Sequence, residues 1–383
     1  MPNKKILHVV NIYFVLPYFI GEQFLYLEEK GYDMHVVCSP SEHLNAYSKK
    51  MGFKYKEISI LRTISIFQDL KSLLSICNYI KKNKIDIVVG HTPKGGLLAM
   101  LAAYVTRVPN RIYFRHGLVY ETSSGIKRKV FILMEKLSAK CATKIVCVGP
   151  SVYEKSLFDN LNKEDKQIVI GRGTCGGIDS MLKFNPENID IQKRDNVKNL
   201  LNLNSTDFVI GYCGRLVKDK GIIDLVTAFQ QVSTKYNFKL LLVGDFEERD
   251  ALPADIIIKI KSDPNIIITG FIFNDIEYYY SLMDVFILPS YREGFPMSVL
   301  EASSMKRPVL TTTVTGCIDS IIDGKTGFYV SNSSYGIMKG ILRLREYSNL
   351  EEMGENGRKF VLEYFDNKIL WPMIENELYS NKS

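Results

Sequence analysis

The chain is poor in several features that mark common classes of protein. Its seven cysteines (Cys38, Cys77, Cys141, Cys147, Cys175, Cys213 and Cys317) are odd in number and include no Cys-x-x-Cys pair. That excludes a disulfide framework and a zinc module, and it reads as buried thiols kept reduced in a cytoplasm. No window reaches the ~18 to 20 consecutive apolar residues that span a bilayer. The nearest imitation of a leader, Met1-Pro-Asn-Lys-Lys with the apolar stretch after it, is interrupted by His8, Asn11 and Pro17 and lacks a small-x-small cleavage site. Ile6–Val10 reads instead as a buried strand. Low-complexity tracts are missing too, and Trp371 is the single tryptophan in 383 residues.

What remains is globular. A composition of 46% hydrophobic and 24% charged residues supports a packed core, and at roughly 150 residues per domain the length gives two or three domains. A net charge of +7 is too mild to call for nucleic acid, but it is unevenly spread. Residues 1–184 hold 27 Lys+Arg against 15 Asp+Glu and the rest hold 22 against 27, so +12 and −5 make up the total. A basic half favours phosphates or anionic lipid headgroups as partners.

Short apolar, β-branched runs ending in Gly, Ser or Pro alternate with longer stretches of helical period. The runs are Ile6–Val10, Met34–Ser39, Ile85–Gly90, Arg111–Phe114, Lys144–Gly149 and Gln167–Gly171, then Phe208–Gly211, Lys239–Gly244, Asn265–Gly270, Val285–Ser290 and Pro308–Thr312. Between them, Phe67, Leu70, Leu74 and Cys77 share one apolar helix face. Apolar strands alternating with helices predict an α/β protein of two doubly wound, Rossmann-like parallel sheets. The polar stretch 185–207 predicts domains at 1–184 and 185–360, with 361–383 a terminal helix crossing back to the first. Gly171-Arg-Gly-Thr-Cys-Gly176 matches G-x-G-x-x-G, yet no long helix follows, so it reads as a turn and not a dinucleotide site.

Doubly wound sheets bind ligands at the carboxyl ends of their strands, so two such domains predict a site in a cleft between them. In the second half, Gly214-Arg215 and Lys220-Gly221 follow a strand and precede a helix, which makes either an anion site or a solvated charge run. Ser290-Tyr-Arg-Glu293-Gly294-Phe295-Pro296 leaves another strand, with Pro296 suited to the first position of a helix carrying Glu301. The N–H groups of Met297 and Ser298 then lie outside the helix's own ladder, where an anion is favoured. A nucleotide sugar fits, with diphosphate on the N–H groups and hydroxyls on Glu293 and Glu301. Two acids complementing a helix dipole is the plainer alternative.

Gly214-Arg215-x4-Lys220-Gly221, Glu293-x7-Glu301 and Gly324-x-x-Gly327-Phe resemble the family 4 retaining glycosyltransferases of GT-B architecture. The turn at 171–179 and Arg115-His116-Gly117 are similar to the bacterial branch that builds capsules, O-antigens and lipid-linked oligosaccharides. The resemblance implies that Arg215 and Lys220 neutralise the diphosphate of a UDP-sugar, that Glu301 binds ribose, and that Glu293 and His116 stand beside the transferring sugar as catalytic residues. Gly294, Phe295, Met297 and Ser298 would complete the donor site. Proline at 296 departs from the glycine of many members, and bulky Tyr13–Ile20 replaces their glycine pair. No two aspartates are separated by one residue, so the metal-holding Asp-x-Asp motif of the other major transferase fold is missing. No cofactor or metal is therefore expected.

In the first half, His91, Lys94 and Arg115 are expected to meet the acceptor, which the resemblance implies is a polyprenyl-diphosphate-linked saccharide. Lys127, Arg128, Lys129, Lys136, Lys140 and Lys144 surround apolar residues in a basic amphipathic stretch. That reads as a peripheral contact with the inner face of the plasma membrane, or as an ordinary surface helix. The competing functions are a UDP-sugar epimerase and a non-catalytic sugar-nucleotide-binding partner of another transferase.

Overall fold

A computed structural model describes residues 4–380 apart from 64 and 175, so Cys175 and the first three residues of the leader-like end lie outside the described residues. The chain divides into two compact units, Met1–Gly177 with Lys368–Ser383, and Ile178–Asn367. The first boundary falls seven residues before the expected 184/185, and residues 361–367 stay with the second unit.

The first unit is built on seven strands: β1 (Lys5–Val9), β2 (Asp33–Cys38), β3 (Lys54–Glu57), β4 (Ile87–Gly90), β5 (Asn110–Arg115), β6 (Lys144–Cys147) and β7 (Gln167–Ile168). All pairs are parallel, in the order β3-β2-β1-β4-β5-β6-β7. Its central strands β1 and β4 are apolar apart from Lys5 and His8 because helices cover both faces; Ile6, Leu7, Val9, Ile87, Val88 and Val89 are wholly buried. Strand β3 escapes an apolar-run reading because it is an edge strand of Lys, Tyr, Lys and Glu, mostly exposed. The terminal segment docks on this unit by polar contacts: the Trp371 indole N–H donates to the Gly176 carbonyl at 2.7 Å, and Lys144 Nζ to the Glu377 carbonyl at 2.6 Å.

The second unit has six parallel strands, β8 (Phe208–Cys213), β9 (Phe238–Val243), β10 (Ile266–Ile268), β11 (Val285–Leu288), β12 (Val309–Thr312) and β13 (Gly327–Val330), ordered β10-β9-β8-β11-β12-β13. In both sheets the order reverses beside the first strand, between β1 and β4 and between β8 and β11. Such a switch point opens a crevice at the strands' carboxyl ends.

One helix differs from its expected role. On Ile66–Asn83 the side chains of Ser72, Ile76, Cys77 and Ile80 face inward, while Phe67 is 91% exposed and Leu70 and Leu74 are exposed as well. Its apolar residues therefore occupy more of the circumference than the sheet covers.

Candidate active site

Strand β8 ends at Cys213, and Gly214 turns the chain with φ +149°. A Cβ on the neighbouring Gly244 would lie 1.9 Å from the Gly214 carbonyl oxygen, so glycine is required where the loops after β8 and β9 touch. Arg215 leaves this turn exposed and donates from Nη1 to Glu247 Oε2 at 2.8 Å. Six residues on, Gly221 has φ +72°, and a Cβ there would meet the Pro289 carbonyl oxygen at 2.1 Å. That close approach brings the loop after β8 against the end of β11. It places the Lys220 ammonium on Glu293 Oε1, with Ser290 Oγ donating to the same oxygen at 2.8 Å. Lys220 and Glu293 are 16% and 12% exposed.

The helix after this loop runs from Met297 to Ser304, with Pro296 as its N-cap, one position before the place expected. No side chain caps it. Phe295 packs on Phe365, ring centroids 5.4 Å apart, and Gly294 lies under Gly316. Glu301 is held by the Tyr280 hydroxyl, which donates to Oε2 at 2.7 Å. Burial raises the Glu301 carboxyl above the ordinary glutamate range, opposed by the Tyr280 hydrogen bond and by nearby Lys183. Burial likewise pushes the neighbouring Cys213 thiol up to about 12. The donor residues expected from the sequence thus gather at one edge of one sheet.

In the first unit the outcome is mixed. His116 follows β5 and is half-buried, stacked on Phe19 with centroids 4.4 Å apart. His91 follows β4 but is 2% exposed, enclosed between His8 and His116. Arg115 is fully buried: its Nε donates to Glu135 Oε2 at 3.0 Å and its Nη1 to Asn162 Oδ1 at 2.9 Å. Lys94 is also buried, paired with Asp69 at 2.6 Å and bonded to the Thr63 carbonyl. The expectation that His91, Lys94 and Arg115 contact an acceptor is therefore corrected. Apart from Arg115 Nη2, which is buried without a partner, their polar groups are engaged inside the unit. The helix there begins at Pro93, capped by Thr92 Oγ1, which accepts from the Gly95 N–H.

Residues 5–148 match the family described as Glycosyl transferase 4-like, and residues 207–346 match Glycosyl transferases group 1. Over 379 residues the chain is 38% identical to the capsular polysaccharide biosynthesis glycosyltransferase CapM of Staphylococcus aureus, covering 98% of this chain and 97% of that one. The chain belongs to the group 1 glycosyl transferases. A second relative of this glycosyltransferase, the UDP-Gal:alpha-D-GlcNAc-diphosphoundecaprenol alpha-1,3-galactosyltransferase of Escherichia coli, is 27% identical over 350 residues, 90% of this chain and 88% of that one. Among solved structures, Anabaena HepE in complex with UDP-glucose matches with a TM-score of 0.81 at 16% identity, covering 98% of this chain and all of that one. The glycosyltransferase therefore has the GT-B fold.

Sequence reading of the glycosyltransferase missed the residues that hold its site residues. Tyr280 beneath Glu301 and Phe19 against His116 belong to no site motif, and Ser290, though it opens the run to Pro296, carries no sign of its bond to Glu293. Ser290 sits within reach of Glu293 in sequence, but Tyr280 comes from the helix Ile276–Ser281 and only folding brings it to Glu301.

Proposed function

We propose that this glycosyltransferase moves a hexose or N-acetylhexosamine-type sugar from a UDP-sugar to a polyprenyl-diphosphate-linked saccharide in capsule or O-antigen assembly, with retention at the anomeric carbon. The observation that carries the reading is the meeting of Lys220, Glu293 and Ser290 at the β8/β11 switch point, with Arg215 and Glu301 on the same edge. A nucleoside diphosphate needs cations for its phosphates and carboxylates for its hydroxyls, and this edge supplies both. The names of the relatives, one in capsule biosynthesis and one acting on an undecaprenol-diphosphate-linked sugar, support the acceptor class.

In the proposed reaction the bond from the anomeric carbon to the UDP oxygen breaks and a bond to the acceptor oxygen forms on the same face. The acceptor hydroxyl proton passes to a donor phosphate oxygen. Arg215 and Lys220 stabilise charge growing on the leaving UDP, in the role a metal plays elsewhere. Glu301 takes the ribose hydroxyls, and Glu293, freed from Lys220 as the phosphates compete for the ammonium, takes a sugar hydroxyl.

The proposed setting is the cytoplasmic face of a membrane. Among the described residues no helix is long and apolar enough to cross one. Supporting a peripheral contact are the exposed Phe67, Leu70 and Leu74, and the basic helix Gly125–Cys141 with its exposed Ile126 and Leu133.

The deciding experiment is transfer by the purified chain from a panel of UDP-sugars onto a short polyprenyl-diphosphate saccharide, with the product's anomeric configuration read by NMR. A retained linkage formed equally in chelator is expected. An inverted linkage, loss of activity on chelation, or release of a free epimer without acceptor would overturn the proposal.

A further inference from the structure

Three histidines from adjacent central strands form one hydrogen-bonded row. His8 lies in β1, His91 follows β4 and His116 follows β5. His8 Nδ1 and His91 Nε2 are 2.9 Å apart, and His91 Nδ1 and His116 Nε2 are again 2.9 Å apart. Ring planes differ by 17° and 29° with centroids 5.2 and 5.1 Å apart. Spacing of that size with nitrogens in contact describes rings joined edge to edge in nearly one plane, not stacked face to face. Phe24 closes the inner end against His8 and Phe19 covers His116 at the outer end.

Burial holds His8 and His116 down near 3, and His91 well below the usual histidine range, so each ring carries one proton. Two neutral rings in contact must offer one N–H and one lone pair, so the row has only two self-consistent arrangements. In the first, His116 donates from Nε2 to His91, His91 donates from Nε2 to His8, and the remaining proton of His8 sits on Nε2. That nitrogen is buried with no partner. In the second, His8 donates from Nδ1, His91 donates from Nδ1, and the proton of His116 sits on Nδ1. The second leaves a buried lone pair unused in place of a buried N–H, and orphaned buried N–H groups are the rarer of the two in proteins. His116 Nδ1 has no hydrogen-bond partner among the described residues and is not one of the buried orphans.

We propose that His8 and His91 are positioning residues that fix the proton of His116 on Nδ1, so that its accessible nitrogen donates a hydrogen bond to a sugar or phosphate oxygen and does not act as a base. This deepens the reading of His116 as a sugar-contacting group and rests on it only for the consequence in catalysis. An outward donor selects a ligand oxygen with a lone pair at that point and disfavours a group that must give up a proton there.

The chain holds five histidines, few enough for long-range proton–nitrogen NMR correlation on the full-length protein labelled in its imidazole nitrogens. His116 should show a protonated Nδ1 and an unprotonated Nε2 without any substrate. A proton on Nε2 would overturn the proposal. In His8→Asp a carboxylate, which can only accept, faces His91 Nε2; His91 should then donate from Nε2, His116 should donate from its own Nε2, and the His116 Nδ1 proton should be lost. A folded His8→Asp protein with an unchanged His116 spectrum refutes the link. Should His8→Asp not fold, the wild-type spectrum still decides, because His8 and His91 must both carry their proton on Nδ1; a proton on Nε2 of either counts against the proposal equally. In transfer assays His8→Asp should lower kcat about tenfold with little change in KM, the cost of one lost hydrogen bond, while His8→Leu, which leaves the direction of the row unchanged, should not. Since the spectra need no transfer activity, a wrong assignment of His116 to the sugar would appear separately, as full activity in His116→Ala.

Discussion

Replacing Lys220 with alanine removes the ammonium that meets Glu293, and the structure sets the size of two separate effects. The pair is mostly withdrawn from water, at 16% and 12% exposure, so it lies above the ~0–1 kcal/mol of an exposed ion pair. It also lies below the ~3–5 kcal/mol lost on breaking a fully buried one. Glu293 keeps one hydrogen bond, from Ser290 Oγ at 2.8 Å, so the remaining cost is that of a half-satisfied buried carboxylate, about 1–3 kcal/mol. For a unit of this size that lowers Tm by roughly 2–4 °C per kcal/mol. Turnover should fall further, by about 10² to 10³, the usual cost of removing one group that stabilises charge in the transition state. The double variant Lys220→Ala/Glu293→Gln separates the two. Neutral glutamine no longer strands a charge, so thermal stability should recover, while transfer of a labelled sugar from UDP should stay low because the diphosphate still lacks its cation and the sugar now lacks its carboxylate. Wild-type turnover in folded Lys220→Ala, or a double variant as unstable as the single one, would refute this reasoning.

Three further outcomes are expected. Tyr280→Phe takes away the hydrogen bond that opposes the burial-driven rise of Glu301, so the acid limb of UDP binding should move to higher pH in calorimetric titrations. Because the folded value of this carboxyl lies above the unfolded one, its ionisation costs stability as pH rises through that window, and Tyr280→Phe should lose more there than wild type. Arg115→Met leaves Glu135 charged in the core and should cost about 3–5 kcal/mol in denaturant unfolding; acceptor KM in whatever remains folded should be unchanged, and a selective rise in KM would restore Arg115 to the acceptor. Phe67→Ser/Leu70→Ser/Leu74→Ser changes exposed residues only, so stability should shift by at most ~0.5 kcal/mol per site, while flotation of the full chain with anionic vesicles at low salt should fall. Unchanged flotation would remove this helix from the membrane contact.

Much of the fold is legible in the sequence because parallel strands covered on both faces must be apolar along their whole length. Ile6–Val10, Ile85–Gly90 and Val285–Ser290 announce themselves in that way. Strand β3 does not, since an edge strand facing water can be Lys-Tyr-Lys-Glu, and β13 is short and begins with glycine. The donor site is legible because the chain delivers it in two short pieces, each just after a strand. Arg115 misled for a related reason: a cation at a strand end marks a site only when its side chain leaves the sheet edge, and here Glu135 draws it inward.

The sequence by itself determined the two doubly wound sheets, the strand ends where chemistry gathers, and the uneven charge of the two halves, since composition and periodicity are local and survive without a fold. Tertiary structure alone decided which charged residues are available. Lys94, His91 and Arg115 resemble ligands in the sequence and are consumed by Asp69, by neighbouring imidazoles and by Glu135, residues 20 or more positions away in each case. The same holds for the support of Glu301 by Tyr280. The partner of a buried polar group is whichever residue folding brings within hydrogen-bond reach, and no spacing in the chain records it.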